Sequence, residues 1–111
     1  MQGYLVTFFT QQDRRHHGMP VADWLVKLAG ELGLRGATSI PASEGMGHDH
    51  RLHSAHFFEL TDQPVSVQMA VTAEECDRLF ARLETERVRL FYVKTPVEFG
   101  VFGEETGGTA A

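Results

Sequence analysis

The sequence predicts a single mixed α+β domain in which two helices cover one face of a sheet. Two features predict this: short runs of β-branched and aromatic residues typical of strands, and two segments whose apolar residues recur at helical spacing. These segments follow the order strand, helix, strand, and the order is then repeated. Such a repeat is typical of the ferredoxin-like plan, βαββαβ.

The chain length and composition fit one domain. A second hydrophobic core would leave each half of the 111 residues marginally stable, and hydrophobic residues at 42% suffice for one core. We expect residues 1–102 to form this domain. Residues 103–111 contain mostly glycine, threonine and alanine with no apolar face, which predicts a disordered tail.

The first half of the chain predicts a strand, a helix and a second strand. Residues 4–9 are apolar throughout, which favours a strand buried on both faces at the centre of a sheet. A polar loop, residues 11–18, follows. Pro20 suits the first position of an amphipathic helix that a glycine ends. Residues 37–42 predict the second strand, in which Pro41 indicates an edge, a bulge or a strand end.

The second half repeats this pattern after a glycine-containing loop, residues 43–52, which we expect to be mobile. Thr72 and Glu75 have the spacing of a capping box, which predicts the start of the second helix. Pro96 is expected to break the last strand, with a short edge segment after it. Extended segments are predicted at residues 55–60, 65–71 and 88–93.

The composition argues against several classes of protein. Fifteen Asp and Glu against ten Lys and Arg give a formal net charge of −5, which repels phosphate backbones, so we expect no binding to nucleic acids. Cys76 is the only cysteine, which excludes an intrachain disulfide and favours the cytoplasm. No segment is typical of a membrane span or a signal peptide.

No pattern typical of an enzyme occurs in the sequence. No serine lies in a glycine-rich nucleophile elbow, and Cys76 falls on the apolar stripe of the second helix, where a thiol is usually inert. Helix capping explains Glu74 and Glu75. We therefore predict no catalytic residues.

The predicted fold leaves one face of its sheet without cover. Two helices can cover only the other face, and in a chain of this size a second copy is the simplest partner for the open face. The sequence therefore predicts a homo-oligomer.

Four segments resemble domain of unknown function 190, a family that is PII-like. The resemblance covers about residues 2–95. It rests on Gly33-Leu34-Arg35-Gly36-Ala37-Thr38, Glu44-Gly45-Met46-Gly47, Arg51-Leu52-His53-Ser54-Ala55 and Thr61-Asp62-Gln63-Pro64-Val65.

The resemblance implies a ferredoxin-like homotrimer related to the nitrogen-regulatory PII signalling proteins. Such proteins bind small effectors between subunits and reshape a loop that contacts a target. The implied protein is a sensor rather than an enzyme and requires no cofactor. Its effector would be a small anionic metabolite such as an adenine nucleotide, and its partner a target protein or a membrane transporter.

Two positions depart from the family pattern. Pro41 and Ala42 stand where members often have an arginine and a glycine, so we expect one contact at the base of the loop to be lost. The segment Glu86-Arg87-Val88-Arg89 lacks the glycine-lysine phosphate loop that PII proteins have before the last strand. Binding of ATP in the manner of those proteins is therefore not expected.

The glycine loop and four arginines form the candidate ligand site. The stretch Gly45-Met46-Gly47 lets backbone amides approach an anion closely, although a flexible turn is the competing interpretation. Guanidinium groups match phosphate and carboxylate geometry. The candidates are Arg35, Arg51, Arg87 and Arg89. From the resemblance, Gly45, Gly47, Arg51 and His53 lie near a cleft between subunits.

A histidine-rich segment supports an alternative function, the binding of a divalent metal. It combines imidazole and carboxylate ligands, which suit zinc, nickel or copper. In an extended segment His48 and His50 would point to the same side, so they are the candidate metal ligands. The competing interpretation is a solvated loop. The segment comprises His48, Asp49, His50, His53 and His56.

Two other charged groups are interpreted as solvated. Residues 13–17, with the sequence Asp-Arg-Arg-His-His, precede the first helix, where they either attract an anion or form a solvated loop, and we favour the loop. Arg78 and Arg82 are interpreted as surface charges of the second helix.

Overall fold

A computed structural model describes residues 1–42, 44–46, 52–54 and 63–103, with only the backbone described for 44–46 and 52–54. In chain order the elements are β1 (Gln2–Gln11), β2 (Arg15–His16), β3 (Met19–Pro20), α1 (Val21–Glu31), β4 (Thr38–Pro41), β5 (Glu44–Met46), β6 (Leu52–Ser54), β7 (Pro64–Thr72), α2 (Ala73–Glu86) and β8 (Phe91–Glu98). Within these ranges no helix has the length and apolarity that crossing a membrane requires.

The main sheet contains four strands in the order β4-β7-β1-β8, and every neighbouring pair is antiparallel. β1 lies inside the sheet, as its apolar sequence predicts. The helices α1 and α2 follow β1 and β7 and pack against the same face of the sheet. This is the ferredoxin-like arrangement, so the predicted fold class is confirmed.

The core lies between the two helices and this face of the sheet. Residues of β7 alternate between buried and partly buried along the whole strand, which is the two-residue period that the sequence predicts. Both helices bury the apolar stripe found in the sequence. The largest buried side chains of the core, from the helices and the sheet together, are Phe8, Trp24, Leu25, Leu28, Met69 and Leu79.

The predicted helix starts are largely correct. The Thr72 hydroxyl accepts from the Glu75 amide at 3.2 Å, and the Glu75 carboxylate accepts from the Thr72 amide at 2.9 Å, so the capping box of α2 is confirmed. Pro20 lies one position earlier than predicted. It is the N-cap residue of α1, with φ −55° and ψ 139°, and Val21 begins the helix.

The predicted loop at residues 11–18 contains regular structure. β2 and β3 form a short antiparallel hairpin in which Arg15 pairs with Pro20 and His16 with Met19. The two residues between them, His17 and Gly18, have φ of 53° and 78°. Positive φ at both central residues is the pattern of a type I′ turn, which matches the twist of the strands it joins.

Two other segments also differ from the prediction. Glu44–Met46 and Leu52–Ser54 pair as antiparallel strands, so both ends of the predicted loop are extended. The last strand begins at Phe91 and continues through Pro96 to Glu98 instead of starting at Val88. Proline is tolerated there because, among the strands that the structure describes, β8 lies at an edge of the sheet and pairs only with β1.

The face of the sheet away from the helices carries apolar side chains. The β1–β8 register places Phe9 beside Phe91, with ring centroids 5.7 Å apart, and both side chains are nearly half exposed in the single chain. The predicted burial of β1 on both faces is therefore wrong for one chain alone. This face, hereafter the open face, presents Leu5, Phe9, Ile40, Phe91 and Val93.

Candidate functional site

The two ends of the sheet differ in what they carry. At one end β1 and β4 finish and β7 and β8 begin, and α2 finishes there as well. We call it the loop end, because the chain leaves β4 for residues 42–63 at this point. The opposite end, where α2 begins, is called the cap end. Roughly 26 Å separates them, since the nine residues of β7 are joined by eight steps of about 3.3 Å each.

The root of the loop is fixed by hydrogen bonds at the loop end. The Ala42 amide donates to the Pro64 carbonyl at 2.8 Å, and the Gln63 side chain donates to the Ala42 carbonyl at 3.4 Å. The Gln12 amide donates to the Gln63 carbonyl at 3.0 Å. The chain therefore leaves the sheet and returns to it beside the end of β1.

The segment between α2 and β8 brings two arginines to the same end. Arg87 ends α2 with φ 57° and ψ 28°, a left-handed conformation that usually selects glycine or asparagine. The Arg14 guanidinium donates to the Arg89 carbonyl at 2.7 Å, which fixes the segment against the chain before β2. Arg87 and Arg89 are both exposed, and neither side chain pairs with a carboxylate among the residues that the structure describes.

A groove of about 500 Å³ lies beside these arginines, between the end of α2 and the start of β8. Aromatic rings form one wall: the Phe80 and Tyr92 centroids are 4.9 Å apart, and those of Phe8 and Phe80 are 5.9 Å apart. Arg87 and Arg89 line the same groove. An aromatic wall next to two guanidinium groups can hold a planar ring and an anionic group together.

Arg35 lies at the cap end, away from the other candidate arginines. Its guanidinium forms an ion pair with Glu75, and its charged end lies 5.1 Å from the centre of the Phe99 ring. The Thr72 amide, assisted by Arg35, holds the pKa of Glu75 below its ordinary value. In one chain, Arg35 therefore stabilises the start of α2 and does not approach Arg87 or Arg89.

The remaining predicted ligand residues belong to the loop. Gly45 and Met46 lie in β5 and His53 in β6, where Gly45 pairs with His53, and only their backbone is described. Other predictions fall outside the described residues: Gly47, Arg51, the metal candidates His48 and His50, the strand at 55–60 and the tail from residue 104.

Sequence reasoning missed a polar cluster at the loop end. Glu86 Oε1 accepts from His17 Nε2 at 2.7 Å and lies 3.0 Å from His16 Nε2. These imidazoles, together with Arg82, lower the pKa of Glu86 from 4.5 to about 2. The interpretation of residues 13–17 as a solvated loop is therefore wrong for His16, which is only 18% exposed, whereas His17 contacts Glu86 but remains 63% exposed. The only signal in the sequence was a glycine after two histidines, which does not identify a partner 69 residues away.

Arg78 is an exposed charge of α2 and Arg82 is 37% exposed, in line with their interpretation as surface charges, but both also contact other groups. Arg78 donates to the Leu32 carbonyl at 3.0 Å, where α1 ends. Arg82 joins Glu31 of α1 to Glu86 of α2, with both contacts at 3.2 Å. The two arginines connect the helices to each other.

Cys76 is buried in the core, as the apolar stripe predicts. Burial raises the pKa of its thiol, which keeps the sulfur protonated and unreactive at neutral pH.

Comparisons with known proteins identify relatives. The profile of the family DUF190, described as uncharacterized ACR, matches residues 3–97. No curated protein matches the sequence. Among solved structures the chain is similar to CPII, a nitrogen regulatory PII-like protein from Thiomonas intermedia K12 bound to ADP, AMP and bicarbonate, with 14% identity, 91% of each chain covered and a TM-score of 0.66. It is also similar to a PII-like signalling protein from Thermus thermophilus, with 20% identity and a TM-score of 0.59, and the match covers 87% of this chain and 86% of that protein's chain.

Proposed function

We propose, because the chain belongs to the DUF190 family of PII-like proteins, that it is a regulatory protein which senses a small anionic metabolite. The metabolite is an adenine nucleotide, bound at the clefts between subunits of a homotrimer. One relative of the same fold, CPII, is bound to ADP, AMP and bicarbonate. No enzymatic step is proposed.

The groove at the loop end is the main structural support for this proposal. Tyr92 is about half exposed, so a purine ring can stack against it without repacking the core. Arg87 and Arg89 supply positive charge at the edge of the same groove. Three strand spacings, or about 14 Å, separate β8 from β4 and the loop root, so a loop that closes over this end can reach the ligand.

The left-handed backbone at Arg87 also supports this assignment. A non-glycine residue with positive φ costs about 1–3 kcal/mol, and such strain concentrates at functional sites. Glycine at this position would relieve the strain but remove the guanidinium. The strained arginine is therefore consistent with a role in binding an anion.

The homotrimer is proposed from the open face of the sheet. Phe9, Phe91 and Val93 are 43–48% exposed there. Contiguous apolar surface of this kind usually marks an interface, and a ring of copies covers it without leaving a free edge. We expect light scattering to give about 37 kDa, three times the chain mass of 12.4 kDa. A monomer mass at micromolar concentration would contradict the trimer.

The loop is the proposed surface for a partner, which is a target protein or a membrane transporter in the cytoplasm. Binding would order the loop through Arg51 and the amides around Gly45 and Gly47. Replacement of Arg51 by alanine should weaken an anionic effector by about 1.5–3 kcal/mol if the contact is charge-assisted, with folding nearly unchanged. Calorimetry of the variant checks the loss of effector affinity, and thermal denaturation checks that its stability is nearly unchanged.

The direct test is calorimetric titration of ADP, AMP and bicarbonate into the wild type and three variants. Arg89→Ala should weaken ADP binding about 10- to 100-fold, because a charge-assisted contact contributes about 1.5–3 kcal/mol. Arg87→Gly should weaken it similarly while relieving backbone strain. Lys27→Ala is the matched control, since Lys27 is an exposed cation of α1 outside the groove. Its affinity should equal that of the wild type.

Equal affinities for all variants would contradict a site in the groove. The double variant with His48→Ala and His50→Ala tests the alternative function, which is the binding of a divalent metal. If this double variant abolishes ligand binding while Arg89→Ala leaves it unchanged, the protein is a metal-binding protein that uses the histidine segment and not a nucleotide sensor.

A further inference from the structure

The contact between the β2–β3 hairpin and the end of α2 brings three metal-ligating side chains together. They are His16, His17 and Glu86, and one ligand atom from each lies within 4.8 Å of the others. None of them takes part in the proposed groove or in the histidine segment at residues 48–56.

The local structure holds the two imidazoles in place. The type I′ turn at His17 and Gly18 points the His17 ring toward α2. The His16 ring packs edge-on against Trp24, at 4.4 Å between centroids, and against His17, at 4.2 Å. Trp24 belongs to the core, so His16 is attached to the rigid part of the domain.

The ligand geometry is close to that of a zinc site. Two Nε2 atoms lie 3.0 and 2.7 Å from Glu86 Oε1. Tetrahedral zinc with bonds of about 2.0–2.1 Å needs its ligand atoms about 3.3 Å apart, so side-chain shifts of a few tenths of an ångström open the site. A metal would bind the Nε2 lone pairs of neutral imidazoles that carry their remaining proton on Nδ1, so each proton now lying between an Nε2 atom and the carboxylate would move to Nδ1 through solvent or be released to water.

The surroundings fix the carboxylate without closing the site. Arg82 Nε donates to Glu86 Oε2 at 3.2 Å, which leaves Oε1 for the metal. The positive charge of Arg82 opposes a cation, but its NH2 group pairs with Glu31 at 3.2 Å, which offsets part of that charge. Hydrogen bonds of this kind, from a neighbouring side chain to a metal-binding carboxylate, are typical of the residues that surround the direct ligands of a metal.

We propose that His16, His17 and Glu86 form a binding site for Zn²⁺ or a divalent transition metal of similar ligand preference. Three protein ligands leave a fourth position for water. Mg²⁺ and Ca²⁺ are excluded by their preference for oxygen ligands. Binding would connect the hairpin to the residue that immediately precedes Arg87.

The test is calorimetric titration of Zn²⁺ into the full chain, with Mg²⁺ in parallel. All six histidines of the chain are in the two clusters, so the variant H48Q/H50Q/H53Q/H56Q leaves only His16 and His17. It should bind one Zn²⁺ per chain with the wild-type affinity of that site. His17→Asn should weaken this site more than tenfold, because asparagine keeps the turn but removes the imidazole. Glu86→Gln should do the same.

Two further measurements keep the proposal testable if a variant misfolds. In the wild type, imidazole NMR signals of His16 and His17 should shift at one equivalent of Zn²⁺, and Co²⁺ should give the absorption of a tetrahedral site that His17→Asn removes. Three results would overturn the proposal: no Zn²⁺ binding by the wild type, unchanged binding in His17→Asn and Glu86→Gln, or loss of all binding in the folded quadruple variant.

Discussion

The two ends of the sheet use charge differently. At the cap end, Arg35 pairs with Glu75 inside a capping box, so its charge stabilises the start of a helix. The hollow of about 480 Å³ at that end contains Glu98 but no basic residue among its lining side chains. At the loop end, Arg87 and Arg89 lie beside an aromatic groove of similar size. A cation is therefore a candidate for ligand binding where, among the described residues, the fold gives it no structural partner.

The largest expected effect is at the cap end, where Gly3 of β1 faces β7. A Cβ atom on Gly3 would lie 1.9 Å from the Val71 carbonyl oxygen, so the paired strands would have to separate. We expect Gly3→Ala to destabilise the domain by about 3 kcal/mol or more. Gly30→Ala, on α1 with open space around it, should instead stabilise by about 0.5–1 kcal/mol. Urea denaturation checks both, and a silent Gly3→Ala would contradict the strand register.

A moderate effect is expected from the capping box. Thr72→Ala removes the hydroxyl that accepts from the Glu75 amide, which should destabilise the domain by about 1 kcal/mol. Nucleotide binding should not change, because this contact lies at the cap end. A loss of ADP affinity in a fully folded Thr72→Ala variant would show that the two ends are not independent.

The acid response of the loop end tests the Glu86 cluster. The folded-state pKa of Glu86 is about 2, below its ordinary 4.5, so its contribution to stability is complete above about pH 4.5 and is lost as pH falls toward 2. Over this window the wild type should lose stability more steeply than Glu86→Gln. Urea midpoints at half-unit pH steps measure the difference, and parallel curves would mean that the histidine contacts contribute nothing.

The smallest effect is expected at Arg87. Glycine adopts the left-handed conformation without a steric penalty, so Arg87→Gly should stabilise the domain by about 0.5–1 kcal/mol even after its larger unfolded-state entropy is counted. Arg89→Ala, outside the strained position, should leave stability unchanged. Denaturation midpoints give both values. A destabilised Arg87→Gly would mean that the side chain supports the fold.

Much of the fold could be predicted from local patterns. The alternation along β7 and the Thr72–Glu75 capping box lie within a few residues of each other, so sequence spacing specifies them. The sequence does not predict that β8 continues through Pro96. A proline is compatible with a strand mainly at a sheet edge, and which strand lies at the edge depends on the whole topology.

The candidate site was less predictable, because it depends on contacts between distant residues. The sequence predicts the same role, anion binding, for Arg35 and Arg89. In the structure Arg35 pairs with Glu75, whereas Arg89 lines the groove. His16 meets Glu86 across 70 residues. No local signal distinguishes these cases, since partner choice follows from the order of strands and helices.

Hydrogen exchange of the full chain with and without ADP tests the central claim most directly. We predict slower exchange in the presence of ADP for amides of residues 86–92 and of the loop root at Gln63, as ligand binding suppresses local opening. Amides around Arg35, Glu75 and Phe99 at the cap end should exchange at unchanged rates. Protection confined to the cap end, with residues 86–92 unaffected, would contradict the assignment of the ligand site to the loop end.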